Sequence, residues 1–336
     1  GLKTIEQHKS LKAYNTFGVE CFCEYFTSVI TIEELRTALL NEDFSERFIL
    51  GGGSNLLLTR NLSGLCIHVN LKGIRVVEED DDQVIIEALA GENWHDFVLW
   101  TLDQSYGGLE NLALIPGNIG TAPIQNIGAY GVELKDSFVS CTTLDTITAT
   151  PHRFNLEEVA FGYRNSIFKT DLKGKHVITA VQFRLTKKNH ILKTDYGVIQ
   201  EELGNNVSSP KNIAEAVIAI RQRKLPDPKK IGNSGSFFKN PVVTEIHFKN
   251  LLLEYPEMPH YRISVSEVKI PAGWIIDRLG YKGMKRGAAG VHEHQALVLV
   301  NHGNASGIEI LTLAKEIQEK VLVSFKITLE IEVNIY

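Results

Sequence analysis

Between Gly108 and Leu134 the chain reads GLENLALIPGNIGTAPIQNIGAYGVEL. The stretch is too apolar for a disordered linker and too broken by glycine and proline for a helix or strand. A segment of this kind lies against something it must approach closely. In its centre, IPGNIGTAPIQNIGAYG, the residues Gly117, Gly120 and Gly128 permit close backbone approach, Pro116 and Pro123 stiffen the path, and Gln125 and Asn126 supply amide donors and acceptors. The pattern predicts a loop lining a cofactor, which regular elements on either side must hold in place.

Those elements are readable. TIEELRTALLN has Thr31 and Glu34 spaced as a capping box, with Ile32, Leu35 and Leu39 on one helical face. RFIL and SGLCIHVNL read as strands, and IRVVEEDDDQVIIEALAG as a hairpin with a solvated acidic turn. ENWHDFVLWTLDQ is an amphipathic helix with Trp94, Phe97, Val98 and Thr101 to one side. SFVSCTTLDTI and HVITAVQFRL are strand-like, and Ser209 caps a helix begun by Pro210. KLPDPKK breaks that helix at a domain boundary. Beyond it lie a short helix AGWIIDRLG, a strand ALVLVN, a helix from about Gly307 to Val323, and a terminal strand ITLEIEVNIY.

A chain of 336 residues exceeds one ordinary core, and its net charge of −5 gives no electrostatic case for nucleic acid or an anionic membrane. No apolar run approaches a membrane span, and the opening GLKTIEQHKS lacks the apolar core of a signal peptide. Cys21, Cys23, Cys66 and Cys141 are scattered without metal-type spacing, as expected of a chain in a reducing cytoplasm. In VHEH, residues 291 to 294, the two histidines stand on an expected strand edge without a third ligand nearby, so no metal is expected.

Two further motifs carry chemistry. GGGSN, residues 51 to 55, reads locally as a tight turn between two strands. Gly51, Gly52 and Gly53 with Ser54 and Asn55 also expose backbone N–H groups suited to a pyrophosphate that no lysine neutralises. In IGNSGSFFKNP, residues 231 to 241, the single hydroxyl of Ser236 sits between Gly235 and the apolar pair Phe237 and Phe238.

GGGSN, IPGNIGTAPIQNIGAYG, FGYRNSIFK, KLPDPK and GNSGSFFKNP, in this order, closely resemble the motifs of the UDP-N-acetylenolpyruvoylglucosamine reductase (MurB) family, and LKTDYGVI resembles a loop of its type I branch. The resemblance runs from about NTFG at residue 15 to the last strand. It implies an α+β fold with a two-part FAD-binding region of the vanillyl-alcohol-oxidase/MurB type, residues 1–71 and 72–222, and a C-terminal α+β substrate domain, residues 223–336. It also implies noncovalent FAD, NADPH as hydride donor, and reduction of UDP-N-acetylglucosamine enolpyruvate to UDP-N-acetylmuramate in peptidoglycan precursor synthesis. A cytoplasmic monomer is expected.

The same resemblance assigns roles. The reaction adds hydride at the enolpyruvyl methylene and a proton at the neighbouring carbon, through a carboxylate-stabilised enolate that needs charge stabilisation and a positioned acid. Ser236 is implied as that acid, Arg164 as the group near the substrate carboxylate, and Glu332 as the acidic partner, with Glu330 on the same expected strand face. Tyr163, Tyr196, Lys224, Asn240 and Gln295 match substrate-contact positions. Gly51, Gly52, Gly53, Ser54, Asn55, Ile115, Pro116, Gly117, Gly120, Thr121, Gln125, Asn126, Ile127, Gly128 and Arg221 match or line the flavin site, Arg221 being one of several cations in RQRK. Asn334 stands where many members carry arginine, which leaves the contact made there open. Two rival readings are a flavin oxidase, opposed by GNSGSFFKNP, and a nonenzymatic flavin or UDP-sugar sensor, opposed by the presence of all three catalytic residues.

Overall fold

The computed structural model describes residues 4–336, so the first residues of the opening GLKTIEQHKS lie outside it. The chain forms two compact units. One comprises the chain up to Lys9, Cys23–Gly52 and Leu62–Arg223; the other comprises Ser10–Phe22, Gly53–Asn61 and Lys224–Tyr336.

The first unit holds two larger sheets and a two-stranded ribbon, Gly128–Ala129 with Val132–Glu133. Arg47–Leu50 and Phe22–Val29 both pair in parallel with Leu62–Val69, and the helix Ile32–Leu39 buries Leu35, Ala38 and Leu39. The Thr31 hydroxyl caps that helix by accepting from the N–H of Glu34 at 3.1 Å, while the Glu34 carboxylate reaches one residue further out than a reciprocal box, to the N–H of Ile30. The second sheet is antiparallel, in the order Pro151–Asn155, Phe138–Asp145, His176–Thr186, Gln83–Leu89, Ile74–Glu79. The expected acidic hairpin is its edge.

Against this sheet pack Trp94–Asp103 and Pro210–Lys224, the first capped by Asn93 and the second by Ser209, whose hydroxyl accepts from the N–H of Asn212 at 3.0 Å. Trp94, Phe97, Val98 and Thr101 are buried, as their helical spacing predicts. Trp94 also donates its indole N–H to the carbonyl of Leu112 at 2.9 Å, which fixes the start of the glycine-punctuated stretch to the core.

The second unit is built on an antiparallel sheet in the order Gly232–Ser236, Val298–Asn301, Ala289–Val291, Lys285–Arg286, with Gly307–Phe325 and Ala272–Arg278 sharing its core. Two expectations change here. The strands flanking GGGSN do not form a hairpin: Arg47–Leu50 pairs within the first unit, whereas Leu56–Leu57 pairs in parallel with Asn334–Ile335 in the second. The terminal strand is regular only over Asn334–Ile335. Upstream it runs antiparallel to the Phe237–Phe238 pair, with Lys239 N–H donating to the Glu330 carbonyl and Glu332 N–H to the Phe237 carbonyl, both at 2.9 Å. It changes partner midway, so no single ladder spans it.

Residues 292 to 294 lie in the turn after Ala289–Val291 and not on the strand, because the His292 Nδ1 atom accepts from the N–H groups of His294 and Gln295, both at 3.1 Å. No cluster of three metal-ligating side chains occurs among the described residues. No described helix is long and apolar enough to cross a membrane.

Two glycines of the second unit give a paired test of backbone geometry. Gly53 and Gly18 both hold left-handed φ, +68° and +63°. A Cβ on Gly53 would lie 1.9 Å from the Tyr14 carbonyl oxygen, whereas one on Gly18 meets nothing within 4 Å. Gly18→Ala is therefore expected to cost about 1 kcal/mol, the backbone term alone. Gly53→Ala should cost roughly 2 to 4 kcal/mol in denaturant melts. Equal losses would mean that the Tyr14 contact relaxes freely.

Candidate active site

The sequence-predicted residues divide between the units. In the first, the loop from Gly117 to Gly120 is zipped to Ala90–Trp94 by three backbone bonds: Trp94 N–H to the Gly117 carbonyl, Ile119 N–H to Glu92, and Gly120 N–H to Ala90, at 2.9, 2.9 and 3.0 Å. Gly120 is required there, since a Cβ would stand 2.7 Å from that of Ala90. Gly51 and Gly52 approach the outer side of the same loop. Their missing Cβ atoms would lie 2.7 Å from Thr121 and 3.1 Å from both Gly117 and Asn118.

The loop continues into a clasp with FGYRNS. Ser166 donates to the Ile124 carbonyl at 2.6 Å, and Asn126 donates through Nδ2 to the Gly162 carbonyl at 3.0 Å and to Glu133 at 2.9 Å. Its Oδ1 accepts from the N–H of Lys135 at 3.1 Å, so this fully buried amide is spent on protein groups. The Asn126 side chain thus shapes the loop. Gln125 is half-buried beside it, and Ile127 is buried.

Arg164 sits on the resulting turn with φ of +48°. Its Nη2 donates to the Gly128 carbonyl at 2.7 Å, and its guanidinium lies 5.2 Å from the centroid of the Tyr163 ring. The partners named are neutral, so the positive charge is held in place without being neutralised by them.

The cations of RQRK also separate by position. Arg223 forms an exposed ion pair with Glu202 at 2.8 Å, whereas Arg221 turns inward to Tyr130. The Arg221 Nε atom is buried and has no hydrogen-bond partner among the described residues. Burial, together with the like charge of Arg164, holds its pKa below the ordinary arginine range, with Tyr130 opposing the shift. A buried cation with a spare donor, close enough to feel another cation, fits an anionic ligand. On that ground the residues present suit FAD or an acidic substrate. Tyr130, which the sequence reading did not single out, stacks edge-on against the half-exposed Tyr196 at 6.0 Å between ring centroids. Its place inside the glycine motif is the signal that pointed to it.

In the second unit Gly235 has φ of +69° and nothing within 4 Å of an added Cβ, and its N–H is held by the Asn233 side chain at 2.9 Å. Phe237 and Phe238 are fully buried, 5.2 Å apart between ring centroids, and Phe17 meets Phe237 edge-on. Ser236, between Gly235 and this pair, is exposed. Open space on one side and two anchors on the other are what a presented hydroxyl needs. Glu332 is half-buried on the neighbouring segment; exposed Glu330 is instead paired with Lys239 at 3.4 Å, which separates two carboxylates that strand alternation leaves equivalent. Asn240 accepts from the N–H of Ala272 at 2.9 Å, Gln295 is half-buried in the His292 turn, and Lys224 is an exposed helix terminus.

A family profile described as an FAD binding domain matches residues 36–155, and one described as the C-terminal domain of UDP-N-acetylenolpyruvoylglucosamine reductase matches residues 227–336. The reductase of that name from Flavobacterium johnsoniae is 54% identical over 98% of this chain and 99% of its own length. The one from Pseudomonas putida is 45% identical over 98% of each. The crystal structure of the Thermus caldophilus enzyme superposes with a TM-score of 0.69 at 24% identity, covering 99% of both chains. Fold and matches together define a flavoprotein with an FAD-binding domain and a separate C-terminal domain. The chain belongs to the UDP-N-acetylenolpyruvoylglucosamine reductase family.

His95, in the first turn of Trp94–Asp103, gives a pH test of this region. Its Nδ1 accepts from the N–H of Leu114 at 2.8 Å, so its proton sits on Nε2, and it supports the left-handed φ of +67° at Leu114. Burial, and then the nearby Arg221 charge, hold its pKa below the ordinary value of 6.5, with Asp96 opposing. The unfolded chain therefore takes up a proton near pH 6.5 that the folded chain refuses, and stability is lost as the pH falls. His68, His176, His292 and His302 are shifted in the same direction, so wild type alone is uninformative. Comparison with His95→Gln isolates the effect. The variant should be less stable at pH 8, and the gap should narrow by pH 5.5 in chemical melts of the FAD-free protein. A gap independent of pH would remove His95 from the acid response.

Proposed function

We propose that this chain reduces UDP-N-acetylglucosamine enolpyruvate to UDP-N-acetylmuramate, using FAD and NADPH, as a step of peptidoglycan precursor synthesis on which cell shape and division depend. The observation that carries the reading is kinship over nearly the whole length: 54% identity across 98% of this chain and 99% of the relative. The enzyme works as a cytoplasmic monomer, with residues 1–71 and 72–222 as the two FAD-binding subdomains and 223–336 as the substrate domain. Nucleic acid and membrane insertion have no part in it.

Bound FAD supplies the hydride, received from NADPH, that the enolpyruvyl methylene accepts. Gly51 to Asn55, Ile115 to Gly117, Gly120, Thr121, Gln125 to Gly128 and Arg221 would hold it. GGGSN offers neither histidine nor cysteine for a covalent link, so attachment is noncovalent. Arg164, whose planar fork suits a carboxylate, stabilises the negative charge that the substrate carboxylate shares as the double bond is reduced. Ser236 donates its hydroxyl proton to the carbon beside that carboxylate, and Glu332 is its acidic partner. Serine is a weak acid in water, so the step depends on a site from which water is excluded. Tyr163, Tyr196, Lys224, Asn240 and Gln295 bind the nucleotide sugar, Lys224 and Tyr196 at the diphosphate.

Acid precipitation of the loaded protein should release the yellow chromophore into the supernatant, and colour left in the pellet would contradict noncovalent attachment. Ser236→Ala tests the proton donor, because flavin reduction by NADPH needs no proton at the substrate carbon. Anaerobic stopped-flow should show the variant reduced by NADPH at a near wild-type rate. Its reoxidation by the enolpyruvyl nucleotide should slow by about 10² to 10⁴, with partial recovery in Ser236→Cys. Equal slowing of the two half-reactions would make Ser236 a structural residue.

A further inference from the structure

We propose that Ser234 and Asn334 are positioning residues that lock the Gly53–Asn55 half of the GGGSN turn into register with the segments bearing Ser236 and Glu332, an inference that rests on the function proposed above. Three successive carbonyls of the turn are bound inside the second unit by three different segments. Gly53 accepts from the N–H of Thr16 at 2.9 Å, and Ser54 from the Ser234 hydroxyl. Asn55 accepts from both the N–H and the side-chain amide of Asn334, each at 3.1 Å. With these carbonyls taken, the N–H groups of Gly53 and Ser54 have no protein acceptor among the described residues, the condition in which a turn can bind a phosphate.

The bonds close a circuit. From Ser54 it passes through Ser234 and along Gly235 and Ser236 to Phe237, crosses by the 2.9 Å bond from Glu332 N–H, and runs through Val333 to Asn334 and back to Asn55. It contains the presented hydroxyl, its acidic partner and the anion-binding turn, each two residues or fewer from a fixed bond. Side chains do this work because the backbone ladder fails at that point: pairing with Val298–Asn301 shifts register between Asn233 and Ser236. The Ser234 hydroxyl holds the turn at that break, and the Asn334 amide adds a second bond to the backbone one that Asn334 already makes with Asn55. Their effect on the reaction is to hold the acid at a constant offset from whatever the turn holds.

The test uses Ser234→Ala, Asn334→Ala, the double variant and Asn334→Asp, which keeps the volume and the backbone pairing but sets a carboxylate oxygen against the Asn55 carbonyl. FAD affinity is read by titrating flavin-free protein, and the turn itself by hydrogen exchange of peptides covering residues 53 to 57 without flavin. The double variant should bind FAD at least ten-fold more weakly, by less than the product of the single effects if both act through one turn, and should exchange faster there. Asn334→Asp should exceed Asn334→Ala, and it decides the matter should the double variant not fold. With flavin saturating, reoxidation by the enolpyruvyl nucleotide should slow at least ten-fold more than reduction by NADPH. Unchanged affinity and exchange, or equal slowing of both half-reactions, would overturn the proposal. A wild-type protein that takes up FAD but is not reoxidised by the nucleotide would overturn the proposed function, leaving titration and exchange to judge the positioning role.

Discussion

The buried amide of Asn126 is the interaction on which the rest of the first unit's site depends. It sits at φ of +46° with no exposed surface, and it bonds to Glu133, Gly162 and the N–H of Lys135. Removing it would strand partners that burial has already cut off from water, at about 1 to 3 kcal/mol for each unsatisfied group. The consequence is positional as well as energetic. The turn at Gly162 to Asn165 carries Arg164, and Gly128, the acceptor for the Arg164 guanidinium, lies two residues beyond Asn126. One amide therefore sets both the loop and the cation that it faces.

Beside that clasp lies a buried cation whose donors the described residues do not all satisfy. Arg221 is buried, feels the charge of Arg164, and keeps an Nε without a partner among the described residues. It donates one hydrogen bond to the Tyr130 oxygen, and burial raises that phenol's own pKa so that it stays neutral. A core selected only for stability would place a carboxylate or an apolar side chain there. A buried arginine that feels a second cation and keeps a spare donor carries an electrostatic cost that an anion relieves on binding, a pattern more common at sites than in scaffolds.

The features legible in the sequence are those whose causes are local. Thr31 and Ser209 cap their helices because a hydroxyl three residues ahead of an N–H closes the same ring in any context. The glycine-punctuated stretch was readable as a close-approach loop for the same reason. The partners of the Asn126 amide, Glu133 and Gly162, are seven and thirty-six residues away, and nothing in IQNIG announces them. Arg221 and Arg223 differ only in which helical face they occupy, and that face has meaning only once Tyr130 and Glu202 are in place. The terminal strand broke in two because its periodicity is uniform while its partners are not.

The least legible feature is that the units are discontinuous. The stretch matched as a C-terminal domain, residues 227–336, does not contain its own complement of structure. Phe17, Val19 and Leu57 belong to its core, and Leu56–Leu57 is the strand on which Asn334–Ile335 pairs. Gly307, at the start of the long helix, has room for no side chain because the Leu58 carbonyl oxygen would lie 1.8 Å from its Cβ. Hydrophobic periodicity reports that a segment will be buried but not against which other segment, so contributions from residues 10 to 22 and 53 to 61 leave no trace in composition. Their effect reaches the candidate site. Because the chain leaves the first unit at Gly52 and re-enters it only at Leu62, Ser54 and Asn55 are bonded to the unit that presents Ser236 and Glu332, while Gly51 and Gly52 stay with the loop at Gly117 to Thr121. A single five-residue motif is thus bonded partly within each unit, Gly51 and Gly52 in the first and Gly53 to Asn55 in the second.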